Sequence, residues 1–176
     1  MSLPIFRYHP DPIATGSIIA SDETCVCCEQ ERGYIYTANA YCEEELENAL
    51  CPWCIADGSA AKRFDATFSD SEPLLQAEVP EEVVEEVTRR TPGFVSWQQD
   101  EWLSCCDDAC EFHGAPSREH LKALKGEARE DLLERMDLSE EEWPEFLKAY
   151  QSDGGPAIYH FICRHCKQPK YGMDFD

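Results

Sequence analysis

Eleven cysteines in 176 residues, most of them in close pairs, constrain this chain more than any other feature. Cys25-x2-Cys28 and Cys51-x2-Cys54 are separated by 22 residues, near the spacing at which two such units share one tetrahedral ion. Two residues between ligands allow a tight turn that aims both sulfurs at a zinc ion about 2.3 Å away. A third unit, Cys163-x2-Cys166, follows near the far end, and Cys106-x3-Cys110 offers a matching pair. The expected ligands are therefore Cys25, Cys28, Cys51 and Cys54 at one site and Cys106, Cys110, Cys163 and Cys166 at another, for two structural zinc ions. Four thiolates suit iron as well.

Eight ligands leave three cysteines and two nearby histidines over. Cys27 lies inside the first unit, where the two-residue gap suits chelation better than the single-residue gap to Cys25. Cys105 is expected to stand aside because adjacent side chains diverge on most backbones. Cys42 reads as a small buried hydrophobe. His113 and His165 are spare candidates for the second site, with His165 expected to pack or to bond backbone. A site closed by four thiolates has no open position for water, which favours a structural over a catalytic ion. Structural zinc can supply on the order of 10 to 16 kcal/mol of apparent binding energy, comparable with a whole domain's net stability of about 5 to 15 kcal/mol.

The net charge of -21, from 36 acidic and 15 basic residues, argues against a nucleic-acid partner, since no basic stripe can neutralise phosphates. The acids gather at Glu43 to Glu47, Glu78 to Glu86 and Glu127 to Glu145, as solvated helix faces or as a docking face for a basic protein partner. No run of about 18 apolar residues could cross a membrane, and the N-terminus shows no export leader. A cytoplasmic location is expected, where paired cysteines bind metal rather than form disulfides.

The pattern predicts an α/β (α+β) protein, a single domain over 1–176 with cysteine-rich ends around an acidic helical middle. Residues 20–70 form a first zinc lobe, 71–100 a connecting helix and turn, and 101–176 a second zinc lobe with a helical insertion. The first lobe should be ribbon-like or treble-clef-like, with a β-prone stretch at 33–41 forming a hairpin between the two knuckles and a short helix after Cys54. Phe6-Arg7-Tyr8-His9-Pro10-Asp11-Pro12 should run extended along the surface. Pro80 suits a first helical position ahead of Glu81 to Arg90, and Pro92-Gly93 stops that helix. Ser139 and Glu142 read as a capping box. Helical material is expected at 116–124 and 128–136, and 157–162 reads as a strand.

Arg7-Tyr8-His9-Pro10-Asp11-Pro12, Cys51-Pro52-Trp53-Cys54-Ile55-Ala56-Asp57-Gly58, Phe64-Asp65-Ala66-Thr67-Phe68 and Arg90-Thr91-Pro92-Gly93-Phe94 together resemble the CbrC family of bacterial colicin-tolerance proteins. The resemblance covers nearly the whole chain. It implies a bacterial cytoplasmic protein linked with tolerance to a colicin and a second site that uses Cys106 rather than its neighbour, and it carries over no biochemical activity, leaving the mechanism open. The leading reading is a non-catalytic, zinc-stabilised interaction protein, with Trp53, Trp97 and Trp102 as candidate contact residues. The alternative is a thiol enzyme, using the Cys51/Cys54 dithiol for redox chemistry, or Cys42 or Cys105 as a nucleophile served by His113 or His120. Asp65, Asp70, Asp107 and Asp108 offer carboxylates for acid-base work, although abundant acids are ordinarily solvated.

Overall fold

The computed structural model describes residues 2–98, 100–152 and 154–174. It is a mixed α/β structure with small antiparallel sheets. Strands β1 (Ile18–Ala20) and β2 (Tyr34–Tyr36) pair antiparallel, with Ile18 opposite Tyr36, and a bridge between Thr24 and Glu31 carries the ribbon toward Cys25. The first cysteine knuckle is therefore the tip of a hairpin. This corrects the expectation of a hairpin lying between the two knuckles, because the partner of β2 precedes the first one. The chain after β2 runs into the acidic stretch Glu43 to Glu47, whose residues have poor strand propensity, so β2 pairs backward.

Cys51 leads into helix α1 (Pro52–Ala56), whose first position is proline, a residue with no N–H to leave unpaired there. Gly58, at a φ of 76°, turns the chain into α2 (Ser59–Phe64), so the expected single short helix is two. Phe6, Ile18, Tyr36, Leu50, Ile55, Ala60 and Phe68 close a first core around these elements.

Helix α3 (Glu72–Gln76) precedes α4 (Glu81–Arg90). Pro80 caps α4 from an extended conformation instead of occupying its first position, and its carbonyl accepts the Val83 and Val84 N–H groups. Val84 and Val87 turn inward to a second core with Phe94, Trp102, Phe112, Tyr159 and Phe161. Strands β3 (Ser104–Cys105) and β4 (Asp108–Ala109) form a two-residue hairpin. A three-stranded sheet runs in the order β5 (Glu111–Phe112), β6 (Ala157–Ile162), β7 (Pro169–Asp174). Alternation along β6 sends Tyr159 and Phe161 into the second core and Ile158 into a third. That third core packs Leu121 of α5 (Arg118–Ala123), Leu132 of α6 (Glu127–Arg135) and Trp143 of α7 (Trp143–Ala149) against Tyr171 of β7. Ser139 and Glu142 make the reciprocal capping bonds, Ser139 N–H to Glu142 Oε2 at 2.9 Å and Glu142 N–H to Ser139 Oγ at 3.3 Å, one turn before α7.

The N-terminal segment departs from its expected surface course. Phe6 belongs to the first core and Tyr8 to the second, and both are buried. Pro10 and Pro12 restrict the backbone, and the chain threads between the cores, where the Phe112 N–H bonds the Tyr8 carbonyl at 2.8 Å. His9 is fully buried: Nδ1–H donates to the Pro92 carbonyl at 2.8 Å, and Nε2 accepts from the Thr15 hydroxyl at 2.7 Å.

Candidate metal centres

The hairpin tip and the start of α1 bring the sulfurs of Cys25, Cys28, Cys51 and Cys54 within 4.8 Å of one another. Cys25 to Cys54 and Cys28 to Cys51 each measure 3.9 Å, and Cys51 to Cys54 measures 3.5 Å. Four sulfurs about 2.3 Å from one ion, at tetrahedral angles, would stand about 3.8 Å apart. The donor set and its spacing fit a metal ion. The knuckle is held by backbone: Cys25 N–H bonds the Gln30 carbonyl, and Glu29 N–H bonds the Cys25 carbonyl with Glu29 at a φ of 58°. The Cys51 N–H then reaches the Cys25 sulfur at 3.2 Å.

A second group forms where the β3–β4 hairpin meets the end of β6. Cys163-Arg164-His165-Cys166-Lys167-Gln168 repeats the first knuckle bond for bond, with Cys163 N–H to the Gln168 carbonyl, Lys167 N–H to the Cys163 carbonyl and Lys167 at a φ of 61°. The sulfurs that join Cys163 and Cys166 within 4.8 Å are those of Cys105 and Cys106. Cys105 lies 3.7 Å from Cys106 and 3.7 Å from Cys166. Of the residues expected at this site, Cys106, Cys163 and Cys166 come together and Cys110 does not. Cys106 and Asp107 are the two loop residues of the hairpin, with φ of 56° and 57°. Such a turn reverses the chain over two residues, which places adjacent sulfurs on one side where extended or helical backbone would part them. Cys110 lies beyond β4, fully buried in the second core beneath Trp102, whose indole N–H bonds its carbonyl at 2.9 Å.

One carboxylate ties the second group together. Asp108 accepts the Tyr8 hydroxyl at 2.8 Å, Arg164 Nη1 at 2.8 Å, His165 Nε2 at 2.8 Å and the Ala109 N–H at 2.9 Å. Burial pushes the Asp108 carboxyl up, but the bonds from Tyr8, His165 and Arg164 outweigh it and hold the group below its ordinary range. His165 thus bonds a carboxylate instead of the backbone expected for it. Arg7 extends the network to Glu86 on α4 at 3.1 Å.

One thiol in each group is held below its ordinary range. A hydrogen bond with Cys51 and the N–H groups of Cys28, Cys51 and Cys27 bring Cys25 down to about 4. Burial opposes ionisation of Cys163, yet the N–H groups of Cys166 and His165 bring it down to about 6. The hydrogen bond with Cys25 pushes Cys51 up, and burial pushes Cys54 and Cys105 up. Four neighbouring thiolates repel one another, and a divalent cation is what allows all four to shed their protons.

The other candidate residues are occupied elsewhere. Cys27 points its sulfur at Ser59 Oγ at 3.6 Å, and Cys42 is half-exposed, bonding the Glu44 carbonyl at 3.1 Å, in contrast to the buried position expected. His113 pairs with Glu111 at 3.4 Å and His120 with the Tyr171 hydroxyl at 2.7 Å. Asp65 pairs with Arg89 at 3.1 Å, and Asp70 accepts the Glu72 N–H at the start of α3. Trp102 is buried, Trp53 is half-buried beneath Arg32, and Trp97 is 49 % exposed. Among the described residues, no helix is long and apolar enough to cross a membrane.

The chain is similar to several curated proteins over most of their length. UPF0167 protein PA1536 of Pseudomonas aeruginosa is 51% identical over 174 residues, covering 98% of this chain and 97% of that protein. UPF0167 protein Mb2317 of Mycobacterium bovis and UPF0167 protein MT2352 of Mycobacterium tuberculosis are each 48% identical over 171 residues, covering 93% of this chain and 89% of theirs. No solved structure matches. With residues 3–175 matching the profile described as "Uncharacterised protein family (UPF0167)", the chain belongs to the UPF0167 family.

Proposed function

We propose that the protein binds two zinc ions, one in each cysteine group, and that it works without catalysis as a rigid interaction module. The observation that carries this reading is the pair of four-sulfur clusters built on the same knuckle, each with every sulfur within 4.8 Å of the others. Cys25, Cys28, Cys51 and Cys54 would hold one ion and Cys105, Cys106, Cys163 and Cys166 the other, with no coordination position left for substrate. Metal at the second group would tie the β3–β4 hairpin to the end of β6 across the intervening helices. We read the first group, a knuckle facing the start of a helix, as ribbon-like or treble-clef-like. Cys51 and Cys54 sit inside a four-sulfur group, which speaks for ligation over dithiol redox work.

A partner would meet the exposed Trp97 and the half-buried Trp53, the candidate contacts left once Trp102 is assigned to the core, with the exposed Val95 two residues from Trp97. The acidic surface points to a basic protein. The motifs that resemble the CbrC family supply the setting we propose, a bacterial cytoplasm and tolerance to a colicin. Elemental analysis of protein purified without added metal tests the central claim. Two zinc ions per chain, falling to one in Cys54→Ser and in Cys105→Ser, support it; iron in place of zinc corrects the ion, and metal-free protein with reversible disulfides overturns the reading.

A further inference from the structure

We propose that the second cysteine group is an exchangeable site for thiophilic divalent cations, loaded and emptied through a carboxylate-walled cavity, while the first group is closed. This rests on the two-metal reading above. The two groups share a knuckle and differ in exposure. Cys25, Cys51 and Cys54 are buried and Cys28 half-buried, whereas in the second group Cys106 and Cys166 are exposed, Cys105 half-buried and Cys163 alone buried. A four-coordinate ion changes hands when an incoming ligand or metal reaches a bound sulfur, so access to sulfur sets the rate. Only the second group offers that access on several sulfurs at once.

What faces those sulfurs is also particular. A cavity of about 350 Å³ is lined by Cys105 and Cys166 on one side and by Glu127, Glu130, Asp131 and Glu134 of α6 on the other. Spacings of three and four residues put all four carboxylates on one helix face. The arginines of α6 turn elsewhere, Arg129 to Glu140 and Arg135 to the Tyr171 carbonyl, and Lys170 is the one cation among the described residues of the cavity lining. Carboxylate oxygens hold zinc-like cations less tightly than thiolates do, so the wall gathers an arriving cation and passes it to sulfur. The helix that supplies the wall reaches the sheet through Leu132 and Leu133, on its opposite face.

The test follows zinc leaving and entering the full-length protein. Loaded protein is mixed with a colorimetric zinc chelator, and metal-free protein with zinc. Release in two phases, one ion each, is expected, with the fast phase absent in Cys105→Ser. Alkylation before and after brief chelation keeps the assignment open should that variant fail to fold: chelation should increase labelling at Cys105, Cys106 and Cys166 before it does so at Cys51 and Cys54. Glu127→Gln/Glu130→Gln/Glu134→Gln should load the second site roughly tenfold more slowly, with a flatter dependence on salt. Glu81→Gln/Glu82→Gln/Glu85→Gln on α4 should load like the parent. Release of both ions in one phase, or unchanged loading of the α6 variant, overturns the inference while leaving two metals in place. Failure to take up any metal overturns this inference and the metal reading together.

Discussion

His165 donates its Nε2–H to Asp108 Oδ2 at 2.8 Å, so the middle of one knuckle is clamped to the hairpin that carries Cys105 and Cys106. Arg164, the other residue between Cys163 and Cys166, bonds the same oxygen at 2.8 Å. The carboxylate thereby fixes the relative placement of two pairs of sulfurs that are far apart in sequence. Partners outside the ligand set typically change metal affinity by 10- to 100-fold when removed. Asp108→Asn keeps the shape and loses the charge, and should weaken metal at the second group by roughly tenfold while sparing the first. Chelator competition that reports the two ions separately checks this; equal affinity at both sites before and after the substitution would remove Asp108 from the site.

Cys105 and Cys110 offer a sharper contrast, because the same substitution has opposite consequences for metal. Cys105→Ser should cost one ion per chain. Cys110→Ser should keep both and instead place a hydroxyl in an apolar core, at about 1 to 3 kcal/mol. Elemental analysis beside thermal unfolding separates the two: loss of an ion in the Cys110 variant, with Cys105→Ser retaining two, would reverse the grouping.

Local chemistry made part of this structure legible in advance. The α4 segment Glu81–Arg90 follows from Pro80 before it and Pro92-Gly93 after it, and the strand Ala157–Ile162 from β-propensity ahead of a knuckle. The grouping of Cys105 with Cys106 was not legible in the same way. It depends on two consecutive positive-φ residues in a turn that has no glycine, and Asp107, a residue tolerant of that conformation, was the one available signal. The role of Asp108 was equally hidden, since it is formed by Tyr8 and Arg164, residues 100 and 56 positions away. Strand β7 carries Gly172 and begins at Pro169, both poor strand formers, and it exists because the six residues of β6 offer it a complete ladder.

Gly93 marks the tightest passage between the two cores. A Cβ at this position would lie 1.8 Å from the Phe68 carbonyl oxygen and 3.0 Å from the Tyr36 hydroxyl. The obstructing atom is backbone and cannot swing aside. Phe68 N–H is itself bonded to the Thr88 carbonyl at 2.7 Å, so relief would have to move α4. Gly93→Ala should therefore cost about 3 kcal/mol or more, at the upper end of overpacking effects, and lower the melting temperature without changing metal content. Gly126→Ala provides the comparison, because a Cβ there meets nothing within 4 Å and only its φ of 61° is strained.

His9 makes the stability of the fold depend on acid. Its ring is fully buried and neutral, and burial brings its pKa down from 6.5 to about 4, opposed by the bond to the Pro92 carbonyl and by Asp11. The unfolded chain binds a proton near pH 6.5 while the folded chain resists until about pH 4. Between those values the unfolded state carries more protons, so stability falls as pH falls through the window, and this group adds nothing further below it. The gap corresponds to a loss on the order of 3 kcal/mol. Acid would also protonate the thiolates that hold any metal, so the measurement is a difference between two proteins. His9→Gln has no proton to gain, and chemical denaturation of both forms at pH 7 and at pH 5 should show the parent losing stability faster by about 2 kcal/mol. Parallel losses in the two proteins would mean that acid acts through the cysteine groups alone.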